Sequence, residues 1–108
     1  MASSGEAAEI INAAVAATFT VPLTELQAAT RRRAPVALAR QSAMYLAHVA
    51  LGLNFSQVGR AFGRDRTTAA HACRLIEDRR GDPRLDNALA DLEHVLRRDL
   101  RHTGGAAL

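Results

Sequence analysis

Thr67, His71 and Arg74 follow one another at the three- and four-residue spacing of a single helical face, with Arg64, Asp65 and Arg66 just before them and Thr68 beside Thr67. Hydroxyl, imidazole and guanidinium groups so arranged hydrogen-bond; they do not form a nucleophile with its base. A helix start adds free N–H groups and the positive end of the backbone dipole, which attract a phosphate. Thr67 and Thr68 stand at that start, and Arg66 is set to meet guanine or phosphate. His71 lies at mid-face for a phosphate or a base edge, and Arg74, one turn on, suits the backbone. Bland roles exist for all of them: first-turn threonines also cap, and an exposed arginine or histidine can simply be solvated. The other side of the segment, Ala69, Ala72, Cys73 and Ile76, is apolar and calls for a core.

Such a face needs a helix over 66–79, for which Asp65 is a good N-cap. Ahead of it, Asn54 or Ser56 can cap a short helix covering 57–62, and Gly63-Arg64 supplies the turn. Short helix, glycine turn and capped helix is how a helix-turn-helix presents its second helix to the major groove. Residues 36–51 are apolar almost all round, with Arg40, Gln41 and His48 on a narrow polar stripe, as in the buried centre of a bundle. Residues 7–19 carry Ile10, Ile11, Ala14, Val15 and Thr18 at helical spacing, and 21–26 reads as a short helix with Pro22 near its first turn. Arg31, Arg32, Arg33, Ala34 and Pro35 read as a basic loop, because proline disfavours a helical residue before it. Gly81-Asp82-Pro83 ends one helix and starts another, in which Leu85, Leu89, Leu92 and Leu96 share a face. Residues 1–5 are expected to be flexible, 6–101 a single domain, and 102–108 a disordered tail. Tyr45 and Phe62 are expected in the core, Cys73 as a small buried residue, and Gly59 where helices pack closely.

At 108 residues the chain has room for one domain and a modest core. Hydrophobic residues make up 48% but aromatics only 4%, so the core must be aliphatic and alanine-rich, which favours helices over sheet. Within 30–80, ten arginines stand against Asp65, Glu77 and Asp78, a local balance of +7; the rest has four arginines against eight acids. A basic middle between acidic flanks implies an anionic partner, most simply a phosphate backbone. Every cation is arginine, which suits bidentate contact with phosphate and guanine, although GC-rich coding would raise arginine and alanine alike.

Several classes of function are excluded. A single cysteine, Cys73, permits no internal disulfide and no zinc framework. No apolar run reaches the ~18 residues of a membrane span, and no charged segment followed by a long apolar one opens the chain. A cytoplasmic, nucleoid-associated protein without a membrane is expected. His48, His71, His94 and His102 lack metal-ligand spacing, and no nucleophile-base set is recognisable. Gly59 and Gly63 bracket three residues and lead into Arg64-Asp65, whereas a phosphate-binding P-loop needs four and then Gly-Lys-Ser/Thr. Neither enzyme activity nor a cofactor is expected.

Three words stand in a specific order and spacing: Ala39-Arg40-Gln41-Ser42-Ala43-Met44-Tyr45-Leu46, then Val58-Gly59-Arg60-Ala61-Phe62-Gly63, then Arg64-Asp65-Arg66-Thr67-Thr68-Ala69-Ala70-His71-Ala72-Cys73-Arg74. Through them, over about residues 9–100, the chain resembles the C-terminal DNA-binding domain of the bacterial replication initiators of the DnaA family. The resemblance implies an all-α, Trp-repressor-like domain of about six helices containing a helix-turn-helix. It implies a basic loop before the first word that reaches the minor groove, and a recognition helix opened by the last word that reads a box in the major groove. Asp65 would then meet a base edge, accepting from cytosine, besides capping its helix. Three departures accompany the match. The family word is usually Gly-Gly-Arg-Asp-His-Thr-Thr; here one glycine is missing and Arg66 takes the histidine position. An arginine usually stands two residues before the one matching Arg40, and here that position is Leu38. If that arginine reads the minor groove, its replacement by leucine removes a base interaction worth ~1–3 kcal/mol. With no P-loop in these residues, a DNA-binding domain without a motor is expected.

The resulting expectation is a monomeric, sequence-specific binder of double-stranded DNA that regulates replication initiation or transcription, with replication or transcription proteins as further partners. Its contacts would be Arg31, Arg32, Arg33, Arg40, Arg64, Asp65, Arg66, Thr67, Thr68, His71 and Arg74. The alternative is a protein-interaction adaptor that keeps the fold but has lost specific reading, motivated by Leu38, the shortened turn, and the alanines at 69 and 70. A nonspecific architectural binder ranks third, for want of apolar wedges to unstack base steps.

Overall fold

The computed structural model describes residues 4–21, 23–27 and 34–105, and these form helices and turns with no strand. Six helices follow in order: α1 (Ser4–Phe19), α2 (Leu23–Gln27), α3 (Ala34–Leu51), α4 (Phe55–Phe62), α5 (Arg66–Arg79) and α6 (Pro83–Gly105). The all-α expectation and its helix-turn-helix are met, α4 and α5 being the pair. Among the described residues no helix is long and apolar enough to cross a membrane.

The centre is α3, as its all-round apolarity requires: Ser42, Ala43, Met44, Tyr45, Leu46 and Ala47 are buried in an unbroken run. It packs against α1, α5 and α6, while α4 wedges between α1 and α5. Each surrounding helix contributes a stripe to one core: Ile11 and Val15 from α1, Val58 from α4, Ile76 from α5, Leu89 and Leu96 from α6. Full burial of such a side chain contributes about 1.5–3 kcal/mol. The leucine face of α6 is therefore satisfied within the chain. Tyr45 and Cys73 lie in this core as expected, and Phe62 packs partly buried against it.

The boundaries depart from the sequence expectations in four places. α1 begins at Ser4, so Ser4 and Gly5 belong to a helix, with Glu6 in its first turn where a carboxylate favours the dipole; residues 1–3 lie outside the described residues. α3 begins at Ala34, not after Pro35. A proline in the first turn lacks an N–H that would have had no partner there, which offsets its steric objection to the helical Ala34. α4 begins at Phe55, capped by Asn54 and not Ser56. α6 continues to Gly105, so 102–105 are helical rather than a disordered tail; nothing before Gly104 breaks a helix, and 106–108 lie outside the described residues.

α1 ends on Thr20, whose φ of 54° is left-handed, with the Val21 N–H reaching back to the Ala16 carbonyl at 3.0 Å. That closing bond belongs to a C-cap in which glycine is the usual residue. A β-branched side chain there is strained.

Candidate nucleic-acid interface

The α4–α5 unit is built from caps. Asn54 accepts from the Gln57 N–H and the Gln57 side chain accepts from the Asn54 N–H, both at 2.8 Å, which fixes the start of α4. At its end Gly63 is left-handed (φ 68°), and the Arg64 N–H returns to the Gly59 carbonyl at 2.7 Å. This closure makes a three-residue turn without a second glycine. It also brings the turn onto α4 itself: a Cβ on Gly59 would lie 2.7 Å from the Arg64 carbonyl oxygen and 2.9 Å from the Asp65 carbonyl. Gly59 thus admits the turn backbone, where the sequence suggested helix against helix.

Asp65 then caps α5 as its type and place require, accepting from the Thr68 N–H at 2.7 Å. That bond, with lesser help from the Thr68 hydroxyl and the Thr67 N–H, holds the Asp65 carboxyl below its ordinary pKa. The helix so fixed buries Ala69, Ala72, Cys73 and Ile76 and exposes Arg66, Thr67, Thr68, His71 and Arg74. Asp78 is exposed on the same side one turn beyond Arg74. A carboxylate there repels phosphate, so the cationic part of the face ends at Arg74. Cys73, far from reactive, has its thiol pushed up to about 11 by burial and by Glu77.

Beside the exposed face, α3 and α5 enclose a cleft lined by Ala37, Arg40, Gln41, Met44, Arg64, Thr68, His71 and Ala72. Four of the expected residues therefore converge from three elements: Arg40 from α3, Arg64 from the turn, and Thr68 and His71 from α5. Gln41 joins them unannounced by its type; its signal was its place next to Arg40 on the polar stripe of α3. Arg40 and Arg64 also line a second cleft, with Glu9 and Asn12 of α1 and Ala61 and Phe62 of α4. The Arg40 Nε donates to the Leu26 carbonyl at 3.2 Å, which anchors the root of its guanidinium. Arg74 lies on the other flank of α5, above a groove with Tyr45, His48, Phe55 and Glu77.

Not every arginine of the basic middle takes part. Arg80 turns inward: its Nε meets Asp86 at 2.6 Å, and its Nη1 meets Glu93 at 2.7 Å and the Tyr45 hydroxyl at 3.0 Å. Burial works against its charge, but the bonds to Tyr45, Glu93 and Asp86 outweigh that and hold its pKa above the ordinary value. Leu38, at the departure from the family pattern, packs partly buried against the core. Arg31, Arg32 and Arg33 lie outside the described residues.

Comparison with known proteins gives this geometry a family. The family model described as the bacterial dnaA protein helix-turn-helix matches residues 8–76, from α1 through most of α5. The chromosomal replication initiator protein DnaA of Mesorhizobium japonicum is 43% identical over 91 residues, which is 83% of this chain and 18% of that protein. Those of Rhodopseudomonas palustris and Agrobacterium fabrum are 40% and 37% identical over 94 and 102 residues, covering 86% and 89% of this chain and 19% and 21% of their own length. The chain spans about a fifth of the length of these curated relatives. The matched stretch holds α4, the shortened turn and the exposed face of α5, and this chain belongs to the bacterial DnaA helix-turn-helix family.

Proposed function

We propose that the chain binds double-stranded DNA sequence-specifically, with α5 in the major groove, and that it acts in the control of replication initiation or of transcription. The observation that carries this reading is the convergence of Arg40, Arg64, Thr68 and His71 around one cleft beside the exposed Thr67 and Arg74. Charge-bearing and hydroxyl groups from α3, the turn and α5 can straddle a phosphate backbone, while the first two turns of α5 reach base edges. Arg31, Arg32 and Arg33 would add phosphate or minor-groove contacts. The relatives' name, chromosomal replication initiator, favours a role at origins over one at promoters. A monomer suffices, because the leucine face of α6 is covered by the chain's own core. That same coverage counts against the adaptor reading, which needs an unassigned apolar face.

Fluorescence anisotropy on an initiator-box duplex and a scrambled duplex of equal composition, at physiological salt, tests the proposal. A box preference of tenfold or more, about 1.4 kcal/mol, supports it. A tight, salt-insensitive complex with a protein and no retention of any duplex would replace it with the adaptor.

A further inference from the structure

The far end of α5 is held as deliberately as its start. Tyr45, buried in the middle of α3, donates its hydroxyl to Glu77 of α5 at 2.9 Å and accepts from Arg80 at 3.0 Å. Arg80 in turn meets Asp86 and Glu93 of α6, and Glu93 pairs with Arg97, which donates to the Val49 carbonyl of α3 at 3.0 Å. One phenol oxygen therefore joins the last turn of α5 to the central helix, and the Arg80 guanidinium, 5.8 Å above the Tyr45 ring, extends that tie to α6. Core packing along Ala69, Ala72 and Ile76 is non-directional, whereas a hydroxyl shared between Glu77 and Arg80 is directional and adds an angular constraint.

We propose that Tyr45, through its bonds to Glu77 and Arg80, is a positioning residue that sets the pitch of α5 on α3 and so decides which bases the second turn of α5 reaches; this rests on the DNA reading proposed above. The turn at Gly59 anchors the start of α5, so any swing pivots there. His71, in the second turn, is six residues along from Asp65, about 9 Å at 1.5 Å per residue. A swing of about 5° moves it by about 0.8 Å, against the ~0.5 Å tolerance of a working contact. Thr67, in the first turn, moves little. Loss of the hydroxyl should therefore degrade one end of the DNA site and spare the other.

The test uses the full chain, wild type and Tyr45→Phe, with Arg80→Met as a second variant in case either perturbs folding. Wild-type protein selects a duplex from a randomised library, and binding is then measured on every single-base-pair variant of that duplex. The expected result is a loss of about five- to tenfold in discrimination at base pairs on the His71 side, with the Thr67 side and the salt slope unchanged. Residual dipolar couplings should show α5 turned against α3 in the same variant. Uniform loss at every base pair, or unchanged discrimination with an unchanged interhelical angle, overturns the proposal. A wild-type chain that selects no duplex overturns the DNA reading itself, and the proposal with it.

Discussion

Replacing Gly59 with alanine opposes two effects whose sizes differ enough to decide the sign. As a residue inside α4, alanine is favoured over glycine by ~0.8–1 kcal/mol. Against this, the new Cβ would sit 2.7 Å from the Arg64 carbonyl oxygen and 2.9 Å from the Asp65 carbonyl. Both neighbours are backbone, and the Arg64 N–H is tied to the Gly59 carbonyl at 2.7 Å, so neither can withdraw without breaking the turn. Overpacking of this kind costs about 1–3 kcal/mol, and a broken turn bond adds about 1 kcal/mol. The net expectation is a destabilisation of about 1–3 kcal/mol, which lowers Tm by about 4–20 °C in a domain of this size. Thermal and urea unfolding followed by circular dichroism measure it, with Gly81→Ala as the control because nothing lies within 4 Å of a Cβ there. That control should stay within about 0.5 kcal/mol of wild type. A Gly59→Ala chain as stable as wild type, or more so, would refute the close approach that positions α5.

Other expectations follow from single features. Thr20→Gly should stabilise the chain by about 0.5–1 kcal/mol, seen as a raised Tm, because it relieves a left-handed β-branched residue at the end of α1. The Asp65 pKa is depressed in the folded chain, so its contribution is present above the ordinary carboxyl value of 3.8 and lost as the pH falls through the lower folded value. Asp65→Asn keeps a cap without a titrating group, so the pH dependence of Tm should flatten below pH 4, about the ordinary carboxyl value; an undiminished acid dependence would contradict this. The Cys73 thiol, raised from 9.0 to about 11, should react with an aromatic disulfide at pH 8 about a hundredfold more slowly in the native chain than in urea.

What could be read from the chain was what local chemistry writes. Asp65 announced its helix because a capping carboxylate must stand just ahead of one, and the leucines of α6 announced a core face by period alone. Helix ends were less legible where two local rules oppose each other, as at Ala34-Pro35, or where no stop signal marks the last turn, as after Arg101. Gly59 was visible as a close approach, but its neighbour was not, because the turn that folds onto it forms only with Gly63 left-handed. The site was half legible. Thr67, Thr68, His71 and Arg74 follow from helical period, whereas Gln41 and the opposite fates of Arg64 and Arg80 depend on how α3, α5 and α6 cross. Net charge counted Arg80 with the cations that line the cleft; only the fold sets Asp86, Glu93 and Tyr45 around it.

The central claim is that the exposed face of α5 reads bases. Its most direct test compares wild type with Thr67→Ala and Arg66→Ala, and with alanine substitutions at Arg31, Arg32 and Arg33, on a preferred and a scrambled duplex across a salt series. The account predicts that the α5 substitutions reduce the preference between duplexes, while those at 31–33 weaken both equally and flatten the salt slope by about one per contact. Equal loss on every duplex from both sets would contradict it.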